Sequence, residues 1–295
     1  MRVFVTGATG FIGSAIVKDL IGAGHQVSGL ARSDDSAAAL EAAGAQAHRG
    51  SLDDLDSLRS GAKAADAVIH AAFIHDFSKF KENCDIERRA VAALGDGLEG
   101  SRKPLIVTSG TLLVAGGLAT EDRAASSTAN LRIASEEVAA EVAARGVRVS
   151  VLRLPPTVHG EGDHGFVPLL IGLARDKGVS AYIGEGLNRW PAVHRLDVAT
   201  LYRLILETND MAVRYHGAAE EGIAFKDIAA IIGKRLNMPV VGKSKEEAAA
   251  HFGWFAHFAA GDNPTSSAQT QKQLGWQPKQ PGLLADLDHD YYFKP

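Results

Sequence analysis

The chain has 295 residues, enough for one large domain or two lobes sharing a cleft, and its 46% hydrophobic to 22% charged balance is that of a globular protein. A net charge of −4, from 31 Lys and Arg against 35 Asp and Glu, gives no electrostatic reason to expect nucleic acid or an anionic membrane as partner. The lone Cys84 excludes an internal disulfide and fits a reducing compartment. The first residues, MRVFVTGATG, carry no leader pattern, and the longest apolar runs fall far short of the ~20 residues of a membrane span, so a cytoplasmic protein is expected.

RVFVT predicts a short strand, followed by a Gly-rich turn and the periodic FIGSAIVKDLIGAG, a helix closed by Gly24. QVSGLA is a second strand and SDDSAAALEAAG a capped helix ending at Gly44. AQAHRG, LDDLDSLRSG and DAVIHAAF continue as strand, helix and strand, and a longer helix falls within 78–99. PLIVTSG and VRVSVLRLP are strands bracketing a further helix that begins near SSTANLRIASEE. β-branched apolar strands alternating with helices imply parallel pairing with both faces covered, hence an α/β, doubly wound parallel sheet of Rossmann type.

Beyond about residue 160 the rhythm breaks into Pro-, Gly- and aromatic-rich stretches such as HGEGDHGFVP and HFGWFAHFAAGDNP. This reads as a smaller lobe, 161–295, interleaved with the 1–160 dinucleotide domain, with segments of about 190–215 returning to the sheet. The run HFGWFAHF has helical spacing and reads as core or homodimer packing. The histidines around it lack a ligand set with usable spacing, so no metal is expected.

In such a sheet the ligand lies in loops at the strands' carboxyl ends. TGATGFIG puts Gly7, Gly10 and Gly13 between the first strand and the first helix. A tight turn, close approach of a pyrophosphate and free helix-terminal N–H groups all require glycine there, so Gly7, Thr9, Gly10, Phe11, Ile12 and Gly13 are expected to bind a dinucleotide. The second strand ends in Arg32 and Ser33 where an acidic residue would grip a ribose 2′-OH, so NADP is favoured over NAD. By position, Ser51, Leu52, Ala71, Ala72 and Phe73 line the same crevice.

With TGATGFIG, VLRLPPTVHGEGD, GEGLNRWPAVHRLDVA and the late LGWQP, the chain resembles the extended short-chain dehydrogenase/reductases, the group containing nucleotide-sugar epimerases and dehydratases. The resemblance implies a hydride-transfer site made of a Ser or Thr after the fifth strand and a Tyr-x-x-x-Lys pair on the next helix. It also implies that the Leu154-Pro155-Pro156-Thr157 backbone borders the nicotinamide. The sequence has no Tyr before Tyr182 and no Lys between Lys103 and Lys177. The family's Lys-x-x-x-Glu spacing falls on Arg132-x-x-x-Glu136, which puts Thr128 where the Tyr would be. The Tyr serves as acid–base and the Lys lowers its pKa, so this pattern describes an atypical member.

Arg132 has two readings: a donor to the cofactor's ribose hydroxyls, or an i,i+4 surface pair with Glu136. Candidates for the missing proton chemistry are Ser109, Thr111, His159 (where the family usually has Tyr) and Tyr182, the tyrosine expected nearest the cleft. Arg189 stands near the position of a substrate-phosphate arginine in the nucleotide-sugar enzymes, with its spacing to Asp197 uncertain by one residue, and Asp197 reads as the N-cap of VATLYRLILE. The leading expectation is an NADP-binding oxidoreductase acting on a small carbonyl or hydroxyl compound. The alternatives are a non-catalytic NADP sensor and an NAD-retaining sugar epimerase or dehydratase.

Overall fold

Short β-branched runs at the amino end become strands covered on both faces. The computed structural model describes residues 1–114, 116–126 and 130–294. In chain order come β1 (Arg2–Thr6), α1 (Phe11–Gly22), β2 (Gln26–Ala31), α2 (Asp34–Ala42), β3 (Gln46–Arg49), α3 (Leu55–Ala64), β4 (Ala67–His70), α4 (Phe80–Leu98), β5 (Pro104–Gly110), α5 (Ala134–Ala144) and β6 (Arg148–Leu154). The remainder holds β7 (Thr157–His159), α6 (Phe166–Lys177), β8 (Ser180–Ile183), β9 (Arg189–His194), α7 (Arg195–Glu207), β10 (Arg214–His216), β11 (Glu220–Ala224), α8 (Phe225–Leu236) and β12 (Val240–Lys243).

The central sheet has seven strands in the order β10-β6-β5-β4-β1-β2-β3, and every pairing in it is parallel. The doubly wound α/β sheet expected from the sequence is therefore present. Its order reverses between β1 and β4, which opens a crevice at their carboxyl ends. One face is packed by α1, α2 and α7 around Ile16, Leu20, Leu40 and Ile205. The other is packed by α3, α4 and α5 around Leu58, Leu94 and Val142.

A separate core around Trp190, Phe225, Phe252 and Phe255 holds a three-stranded sheet, β11-β9-β7, and a two-stranded one, β12-β8. Phe252 and Phe255 of the HFGWFAHF run are buried there, while Trp254 is exposed. The 190–215 stretch divides: β9 stays with the three-stranded sheet, α7 packs against α1, and β10 joins β6 at the edge of the central sheet. Among the described residues no helix is long and apolar enough to cross a membrane.

Two local expectations are corrected. The helix expected from about residue 126 starts later, as a 3-10 turn over Leu131–Ile133 followed by α5. The reason is Asn130, whose side chain accepts from Arg132 N (3.1 Å) and so caps the turn rather than continuing a helix through it. Asp197 is not the N-cap of α7. His194 takes that place, its Nδ1 accepting from Leu196 N at 3.2 Å. Asp197 falls in the first turn, buried, with its carboxylate accepting from Lys279 N (2.9 Å) and Gln280 N (3.1 Å).

The LGWQP segment returns to the sheet through Trp276, which is 1% exposed and donates Nε1–H to Asp197 O at 3.1 Å. Removing a buried indole leaves a cavity and an unpaired carbonyl. Trp276→Ala is expected to lower unfolding free energy by about 3–5 kcal/mol, read as a fall in the urea midpoint.

Candidate active site

The glycine turn is fixed by close backbone contacts. Gly7 has φ +68°, and a Cβ there would lie 2.8 Å from Ala72 N and 2.9 Å from the Ala71 carbonyl. A Cβ on Gly13 would lie 1.9 Å from Gly7 O. Both positions therefore demand glycine: Gly7 presses the turn against the residues that follow β4, and Gly13 lets α1 close onto Gly7. Gly10 N donates to Gly7 O at 2.9 Å. Gly10 then opens α1 with no side-chain cap and no acidic residue in the first turn. The first-turn N–H groups at Phe11, Ile12 and Gly13 have no partner within the helix and stand at the positive end of its dipole.

At the end of β2, Arg32 is exposed and forms no ion pair among the described residues. Its neighbours are occupied. Ser33 Oγ caps α2 by accepting from Ser36 N (3.2 Å), and Asp34 is bridged by Arg49 at 2.6 Å. Ser51 Oγ accepts from Asp53 N (3.3 Å) and Asp54 N (3.2 Å), and Leu52 packs on the helix-side core.

The carboxyl ends of β1, β4 and β5 carry a buried polar chain that local spacing did not reveal. Thr6 Oγ1 lies 2.8 Å from His70 Nδ1, and His70 Nε2 lies 3.1 Å from Glu87 Oε2 on α4. An ionised Glu87 only accepts, so Nε2 carries the proton and Thr6 donates to Nδ1. Ser135 Oγ donates to Glu87 Oε1 (3.1 Å), and Arg132 Nη1 sits 3.1 Å from the same oxygen. Burial pushes the Glu87 carboxyl up, but Arg132 and His70 outweigh it and hold the group at about 2, from 4.5. The Arg132 guanidinium lies 3.6 Å above the centre of the Phe73 ring, just past β4. Arg132 is thus not paired with Glu136; its carboxylate is Glu87.

Glu136 instead holds Arg153 of β6. Arg153 is fully buried and donates from Nε and Nη2 to the two Glu136 oxygens, each at 2.7 Å. Its Nη1 reaches Arg123 O (2.8 Å) and His216 Nε2 (3.3 Å). Burial holds His216 down near 4, so it stays neutral and accepts. Ser109 Oγ donates to Glu136 Oε1 at 2.9 Å, which commits its proton.

The other sequence-chosen residues are spread out. Thr111 is fully buried and donates to Asn263 Oδ1 (2.6 Å), whose Nδ2 returns a bond to Thr111 O (3.2 Å). Tyr182 lies on β8, its ring against Gly186 and Gly242. Thr128 lies outside the described residues. Thr157 Oγ1 donates to Pro191 O, joining β7 to β9 just beyond Pro155 and Pro156. His159 is buried with Nδ1 2.7 Å from Asp286 Oδ2, and its Nε2 has no partner among the described residues. Arg189 is held by Asp262 through Nε (3.0 Å) and Nη2 (2.9 Å).

One tyrosine that the sequence reading passed over comes close. Tyr202 of α7 is fully buried with its hydroxyl 2.5 Å from Thr108 Oγ1. Thr108 spends its own proton on His70 O (2.7 Å), so Tyr202 is the donor. No pattern in α7 distinguishes it from an ordinary core residue.

A parallel sheet reversing its order beside a glycine cradle and an uncapped helix defines a dinucleotide-binding protein of the Rossmann class. The NAD dependent epimerase/dehydratase family model matches residues 3–216, and the chain belongs to that family. It is 52% identical over 295 residues to an uncharacterised protein of Schizosaccharomyces pombe, covering 99% of this chain and 100% of that one. An uncharacterised protein of Saccharomyces cerevisiae is 47% identical over 295 residues, with 99% of each covered. In structure it is similar to DesIV, a dTDP-glucose 4,6-dehydratase from Streptomyces venezuelae solved with NAD (TM-score 0.77, 19% identity, 98% of this chain and 95% of that chain). The likeness places the fold among extended short-chain dehydrogenase/reductases, as the sequence motifs implied.

Glu87 gives the site a pH signature. Its carboxyl is held below the unfolded value, so the stabilisation is complete above about pH 4.5 and is lost as pH falls toward about 2. The contribution is about 3 kcal/mol at neutral pH. Glu87→Gln is expected to lose it at pH 7 and to show a flatter decline between pH 5 and 2, measured by urea unfolding across pH.

Proposed function

We propose that this chain is an NADP-binding oxidoreductase of the extended short-chain dehydrogenase type, acting in the cytoplasm on a small carbonyl or hydroxyl compound. The observation that carries the reading is the glycine cradle at an uncapped α1, with Arg32 at the end of the neighbouring β2 making no ion pair among the described residues. Gly7, Gly10, Phe11, Ile12 and Gly13 would hold the diphosphate, Arg32 and Ser33 a 2′-phosphate, and Ser51, Leu52, Ala71 and Ala72 the adenosine half. Phe73, Arg132 and Leu154–Thr157 would border the nicotinamide half. When bound, the nicotinamide exchanges a hydride with the substrate carbon.

The proton must then move by a route other than a Tyr–Lys pair. Ser109 and Thr111 already spend their protons on Glu136 and Asn263, and Arg132 stays protonated beside Glu87. His159 is better equipped: Asp286 fixes its Nδ1–H and leaves Nε2 without a partner among the described residues. The committed hydroxyls equally favour a second reading, a non-catalytic NADP-binding sensor. Steady NADPH consumption with any carbonyl substrate would exclude that reading.

The cofactor choice rests on Arg32. Arg32→Ala is expected to weaken NADPH binding by roughly tenfold while leaving NADH nearly unchanged, as measured by calorimetric titration. An unchanged NADPH-to-NADH ratio would overturn the NADP preference.

A further inference from the structure

Arg195 sits where a cation is locally unfavourable. It is the first residue of α7, at the positive end of that helix's dipole, where acidic residues are the stabilising choice. The acidic residue of that turn, Asp197, does not offset it, because its carboxylate is spent on Lys279 N and Gln280 N. Arg195 forms no ion pair among the described residues. Its guanidinium instead reaches across to α1, with Nη1 3.5 Å from Phe11 O and its carbon 5.0 Å from the centre of the Phe11 ring.

Phe11 is the first residue of α1 and part of the glycine cradle. The acidic residue next to Gly162, Asp163, spends its carboxylate on Gly165 N (2.7 Å) and the Tyr292 hydroxyl (3.1 Å). His164 lies edge-on to the Phe11 ring at 5.8 Å between centres, and Gly162 comes within 3.8 Å of Arg195 Nη1 at its Cβ position. Two helix N-termini therefore converge with a guanidinium that has no ion pair among the described residues. A rule broken locally without a protein partner marks a position set by a ligand.

We propose that Arg195 is a diphosphate clamp: it reaches over Phe11 and donates to the dinucleotide's diphosphate opposite the α1 amides. Arg195 follows directly on β9, a strand of the smaller lobe's sheet. The same ligand contact thereby ties that lobe to the glycine turn. The inference rests on the dinucleotide-binding reading above, and Arg195 is a positioning and binding residue rather than a proton donor.

The test is calorimetric titration of the full-length protein with NADPH and with adenosine 2′-monophosphate, which lacks the diphosphate, alongside apo-protein melting. Arg195→Gln is expected to weaken NADPH by roughly tenfold or more and to flatten its salt dependence, with Arg195→Lys recovering part of the loss. Adenosine 2′-monophosphate should bind both proteins equally. The apo melting temperature should hold or rise, since the variant removes a cation from the first turn of α7. Equal NADPH affinity in Arg195→Gln, an equal loss with the monophosphate, or a lowered apo melting temperature would each overturn the clamp alone. A wild-type protein that takes up neither NADPH nor NADH would overturn the dinucleotide reading and the clamp with it.

Discussion

The carboxyl end of the central sheet is organised by one buried ion pair, Glu136 with Arg153. Two opposite charges removed from water cost several kcal/mol each, and only close geometry with every donor satisfied recovers that. Here the guanidinium meets the carboxylate through two bonds of 2.7 Å and uses its remaining Nη1 on Arg123 O and His216. Ser109 fills a further acceptor site on Glu136. The pair thus joins α5 to β6, β5, β10 and the loop containing Arg123. Loss of either partner would strand a charge in the interior, so these elements are obliged to meet in one arrangement. The Leu154–Thr157 segment begins where Arg153 is clamped, so its path is set by that anchor.

How much of this was legible in the sequence depends on how local its cause is. The glycine turn was legible because its cause lies within a few residues: a backbone that must bend at Gly7 and approach itself at Gly13. The strands and their parallel order followed from apolar runs alternating with helices. The partners of Glu136 and Arg132 were not legible. A four-residue spacing suggests a helical pair, but Asn130 turns the chain at Arg132, and each side chain finds its partner on another element. The role of Asp286 beside His159, and of Asn263 beside Thr111, likewise arises from chain segments that meet only in the folded state. Spacing cannot encode such contacts.

Arginine at position 132 does not act on its neighbours as a lysine would. A lysine in that place carries a compact charge that can sit beside a hydroxyl and lower its pKa. Arg132 has its charge balanced by Glu87 at 3.1 Å and its flat face on Phe73. Glu87 is in turn held ionised by Arg132 and His70 against the cost of burial, so the arrangement stabilises its own charges rather than acidifying a neighbour. Tyr202 close by is pushed the other way: burial raises its pKa, and its proton goes to Thr108. Arg132, Glu87, His70 and Thr6 thus form a buried polar network in which each charge has a partner. Under the reading proposed above, a dinucleotide would be held mainly by the first helix and the loops around the glycine turn. What the fold itself supplies there is an α1 that opens at Gly10 without a side-chain cap, with the guanidinium of Arg195 over Phe11.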